Sequence, residues 1–138
     1  MKTLTKLSAK ELEYYINVRR WKKELDFLEV EVAFIKLLED EMERFGARRD
    51  KLMNVSSFQK LADLVVDKEQ VLILLTTQLS DLEKLTEGVH TRQSGQLAIN
   101  QAQLEYQFND IVRQFRDIKG HFFKHIGQMI AGRRKLVH

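Results

Sequence analysis

No proline interrupts the 138 residues of this chain, and apolar side chains recur along it at alternating steps of four and three. Proline removes an interior helical hydrogen bond, so a chain without it can carry helices limited only by caps and glycines. Six glycines and no cysteine are present. Missing thiols remove disulfides, thiolate nucleophiles and Cys-ligated zinc or iron–sulfur sites. At 43% hydrophobic and 31% charged residues, the chain is too apolar for disorder and long enough for one domain, residues 1–138.

Three helices are expected. The first begins at Ser8, because Ser8-Ala9-Lys10-Glu11 matches a capping box. Its seam is Tyr14, Val18, Trp21, Leu25, Leu28, Val32, Ile35, Glu39 and Met42. Phe27, Phe34, Leu38 and Phe45 form a flanking stripe, making an apolar face wide enough for two neighbours. The helix can run to Asn54, with a kink or stop at Gly46. The second begins at Ser56, where Ser56-Ser57-Phe58-Gln59 is a further capping box, and stops at Gly88. Its seam reads Leu61, Val65, Lys68, Leu72, Leu75, Leu79, Leu82 and Thr86. Its centre is apolar nearly all round, so it is expected to be the most buried helix. Gly88–Gly95 is the loop.

The third seam is the cleanest: Leu97, Gln101, Leu104, Phe108, Ile111, Phe115, Ile118, Phe122, His125 and Met129. Rings as large as Phe at seam positions suit a core shared by three or more helices. Gly120, Gly127 and Gly132 leave two readings, a close helix approach or a soft end.

Short loops make successive helices antiparallel. The expected fold is all-α: three long helices in an up-down-up bundle of coiled-coil type, completed by dimerisation. With a turn near residue 54, helix 1 (about 60–65 Å) outruns helix 2 (about 45–50 Å). Tyr14, Tyr15, Ile16, Val18 and Trp21 then project as an unpaired aromatic end, the expected contact with a second copy or another helical protein. Glu39 and Lys68 fall at one height in that register. A buried pair would set register more than stability, whereas side chains that snorkel would reach solvent, and snorkelling is the expectation favoured here.

Charge is arranged in blocks. Residues 1–23 carry +5, 24–43 carry −7, 44–60 carry +4, 61–90 carry −4 and 91–138 carry +5, for a net +3. Opposite blocks can set the register of an antiparallel dimer. Folding as a bundle brings Arg48, Arg49 and Lys51 to the same pole as Arg133, Arg134 and Lys135. That pole is the alternative site, for nucleic acid or an anionic surface. Cations at helix C-termini also stabilise the macrodipole, and no surface aromatics alternate with them for base stacking.

His121 and His125, one helical turn apart, are weak metal candidates and the basis of a second alternative, a metal-binding bundle. The lone Glu87-Gly88-Val89-His90 match is broken by glycine, where di-iron bundles need two such motifs and further Glu, so no cofactor is expected. No GxSxG, P-loop or GxGxxG occurs, so an enzyme and a small-molecule substrate are not expected. The N-terminal MKTLTKLSAKELEYY lacks an apolar h-region, and the run Val71–Leu75 is too short to span a bilayer. The expectation is a cytoplasmic, non-enzymatic structural or interaction protein acting through helix-face docking and self-association.

Overall fold

The computed structural model describes residues 7–44, 55–88 and 94–137. They form α1 (Ala9–Arg44), α2 (Val55–Thr86) and α3 (Ser94–Val137), of 36, 32 and 44 residues. At 1.5 Å per residue these are about 54, 48 and 66 Å long. The helices pack as an antiparallel three-helix bundle, with no strand among the described residues.

Local chemistry sets the helix ends. Ser8 N donates to Glu11 Oε1 at 2.9 Å and Glu11 N donates to Ser8 Oγ at 3.1 Å, which completes the expected capping box. α2 closes with Glu87 N donating to Lys84 O and Gly88 N to Leu85 O. Gly88 takes a φ of 82°, a left-handed cap that a Cβ would strain.

The core follows the seams of α1 and α3 closely. Val18, Trp21, Leu25, Leu28, Val32 and Ile35 meet Leu97, Leu104, Phe108, Ile111, Phe115, Ile118 and Phe122. Trp21 stacks on Phe108 with ring centroids 5.6 Å apart. Helix α2 contributes Leu61, Leu64, Val71, Leu75 and Leu82. Its seam is therefore shifted at alternate positions. Leu64, Val71 and Gln78 face inward, and the expected Val65, Leu72 and Leu79 lie half-buried beside them. Leu64-Val65 and Val71-Leu72 are adjacent apolar pairs, so either member satisfies the periodicity. The choice at 78 is made by Gln101, described below.

The register also differs from expectation. Lys68 Nζ lies 3.6 Å from Glu29 Oε1 and 2.9 Å from Glu69 Oε1. Glu29, rather than Glu39, is thus the residue of α1 within reach of Lys68. The far end of α2 then reaches the first turns of α1. The expected overhang is absent for this reason. Val18 is 0% exposed and Trp21 4% exposed, both closed over within one chain. Glu39 and Lys68 are both buried as well, at 4% and 3%, so the snorkelling expected of them does not occur.

Among the described residues α2 carries the largest share of buried side chains, as expected, although Val66, Ile73 and Leu74 are exposed. Each helix of a three-helix bundle has two neighbours and so keeps an outer face. The wide apolar face of α1 is likewise not all used: Phe27 and Phe34 stay outside. Gly120 and Gly127 of α3 are not packing sites. A Cβ built at Gly120 or Gly127 meets nothing within 4 Å.

Candidate interaction surface

α1 carries two apolar seams on opposite sides. The inner one, Leu25, Leu28, Val32 and Ile35, enters the core. The outer one is Phe27, Val30, Phe34 and Leu37, spaced three, four and three residues apart. That is a heptad spacing, so the four lie along one line on the helix. Each is between 51% and 64% exposed. Ile16, also exposed, falls on the same line further back, with Arg20 and Lys23 between. Lys23 and Glu41 bracket the four apolar residues.

A groove of about 400 Å³ runs beside this stripe, between α1 and α3. Phe27, Lys23, Glu24 and Leu28 line one wall, and Val112, Phe115 and Arg116 the other. Lys119 Nζ bonds Glu31 Oε2 across it at 2.9 Å and sits 5.5 Å from the centre of the Phe115 ring. α1 and α3 are the least closely packed pair of helices. Phe27 therefore belongs both to the lip of the groove and to the outer seam.

The acidic block of α1 is divided by the fold. Glu29 turns to Lys68 and Glu31 to Lys119. Exposed charge along this side of the helix is basic at Arg19, Arg20 and Lys23 and acidic at Asp40.

The sequence-derived site residues scatter. Val18 and Trp21 are core residues. Tyr14 and Tyr15 are half-buried against the core, and Arg19 Nη1 donates to Tyr15 Oη at 3.3 Å with its guanidinium over that ring. Ile16 alone of the five is exposed. Arg48, Arg49 and Lys51 lie outside the described residues. Arg133, Arg134 and Lys135 fall in the last turns of α3, of which only the backbone is described. His121 and His125 approach to 3.3 Å between Nε2 atoms, with the rings edge to face. Among the described residues no group of three or more His, Asp or Glu could hold a metal ion. No described helix is long and apolar enough to cross a membrane.

Sequence reasoning missed Val30 and Leu37 as surface residues. Their signal was present in the second heptad line through Phe27 and Phe34, which reads equally well as the flank of a broad core. It also missed Gln78, whose Nε2 donates to Leu97 O at 3.0 Å and to Gln101 Oε1 at 3.1 Å. Gln101 Nε2 in turn donates to Tyr14 O at 3.3 Å, so one buried polar layer joins all three helices.

No family model matches the chain, and neither the curated proteins nor the solved structures contain a match.

Proposed function

We propose that this protein is a non-enzymatic structural and interaction module that works by helix-face docking and self-association. The docking face is the outer seam of α1. The observation that carries the reading is the exposed line Phe27, Val30, Phe34 and Leu37. Scattered single apolar residues are normal on a surface, but a continuous heptad line is what a partner helix packs against. Full burial of each such side chain is worth up to about 1.5–3 kcal/mol. The anchors named from sequence move accordingly, from the Tyr14–Trp21 end to this stripe, with Ile16 kept at its margin. A cytoplasmic setting is part of the proposal, because a chain without cysteine needs no oxidising compartment to fold.

The absence of native cysteine supplies the test. A Val30→Cys variant labelled with an environment-sensitive fluorophore reports any helix that covers the stripe. The reading expects a saturable blue shift with an amphipathic helical peptide or with added unlabelled protein. It expects the shift to vanish when Phe27 and Phe34 are both changed to Asp. Emission unmoved by either addition overturns it.

A further inference from the structure

We infer that His121 and His125 of α3 form a two-histidine chelate for zinc, separate from the docking face of α1. The two residues are one helical turn apart, on the same side of α3. Their Nε2 atoms lie 3.3 Å apart while the ring centres lie 4.8 Å apart, so each ring turns that nitrogen towards the other. His121 is exposed and His125 half-buried, so an ion can reach the pair from solvent.

The separation suits a metal. Zinc bonds imidazole nitrogen at about 2.0–2.1 Å, so an ion shared equally by nitrogens 3.3 Å apart makes an angle of about 104–111° with them. The tetrahedral angle of zinc, about 109°, falls inside that range. Imidazole also suits copper and nickel, but those ions favour square arrangements, with a narrower bite. In the chelate both Nε2 atoms present lone pairs, and Nδ1 of each ring carries the proton. Among the described residues no third His, Asp or Glu joins the pair to hold an ion, so water takes the remaining positions. Permanent zinc sites use three or four protein ligands, so this one is exchangeable and fills when zinc is plentiful.

Occupancy has a structural consequence. Gly120 and Gly127 flank the pair, each with open space where a Cβ would go. Glycine is a poor helix former, so this part of α3 draws little support from its own backbone. The two nitrogens meet only while the turn between them is helical, so bound zinc favours the helical state of that turn. The metal thereby staples the glycine-flanked part of α3.

Calorimetric titration of the full chain with zinc chloride tests the inference, with circular dichroism as the fold control. The expected result is saturable binding of one zinc per chain. It is lost in His121→Ala and in His125→Ala, and kept when the other two histidines carry His90→Gln and His138→Gln. Imidazole nitrogen NMR places the change on Nε2 of both His121 and His125. The melting midpoint of the wild-type chain rises with zinc, and that of His125→Ala does not. Binding that survives in either alanine variant, or that disappears in the His90 and His138 variant, overturns the chelate. So does the absence of saturable binding in the wild-type chain. Binding without a rise in midpoint overturns the stapling of α3.

Discussion

Gln78 of α2 hydrogen-bonds Gln101 of α3 at 3.1 Å, with both side chains buried, and Gln101 donates onward to the Tyr14 carbonyl of α1. A polar layer in an apolar core sets helix register, because any slip leaves its donors and acceptors without partners. Gln78→Leu and Gln101→Leu are each expected to cost about 1–3 kcal/mol, the range for stranding a buried polar group. The double Leu variant is expected to cost much less than the two singles together. Urea unfolding of the four proteins measures the coupling; strict additivity would show that the layer does not act as a unit.

Lys68 is nearly as buried, yet its carboxylate partners Glu29 and Glu69 stay more than half exposed. Desolvating the ammonium offsets much of what these pairs contribute. Lys68→Met is therefore expected to be neutral or to stabilise by about 1 kcal/mol. A loss of several kcal/mol in denaturant unfolding would instead make Lys68 a net contributor.

Trp21 is stacked on Phe108 in the core, so Trp21→Ala is expected to destabilise the fold by about 3–5 kcal/mol. Being the single tryptophan of the chain, it also gives a direct readout. Its emission should be blue-shifted in the native protein at all concentrations and shift red on unfolding. Native emission at the solvent-exposed wavelength would place Trp21 at the surface.

Two glycines are expected to respond oppositely to alanine. Gly120 is helical with open space where a Cβ would go, so Gly120→Ala should stabilise by about 1 kcal/mol. Gly88 holds a positive φ at the end of α2, so Gly88→Ala should destabilise by a similar amount, about 1 kcal/mol. Thermal melts of the two variants bracketing wild type would bear this out; a shift in the same direction for both would not.

Much of the fold was legible in the residues themselves. The Ser8–Glu11 capping box, the stop at Gly88 and the α3 seam from Leu97 to Phe122 all stand as their spacing implied. The candidate site was legible only in part. Phe27 and Phe34 stood out as a stripe, but spacing does not say whether a second stripe on one helix faces a neighbour or water.

What the amino-acid sequence determined by itself is what neighbours within a few residues decide: three helices, the Ser8 cap and the Gly88 stop, and a seam wherever only one line of residues is apolar. Helical hydrogen bonds and capping groups are local, so local pattern suffices for them. Register needed the tertiary structure. It places Lys68 against Glu29, lays α2 along the whole of the Tyr14–Trp21 end, and turns Gln78 rather than Leu79 inward to meet Gln101. Adjacent apolar pairs and a second apolar line are degenerate under a heptad rule. Only packing against the other two helices shows which side of α1 is core and which side, through Phe27, Val30, Phe34 and Leu37, is left facing out.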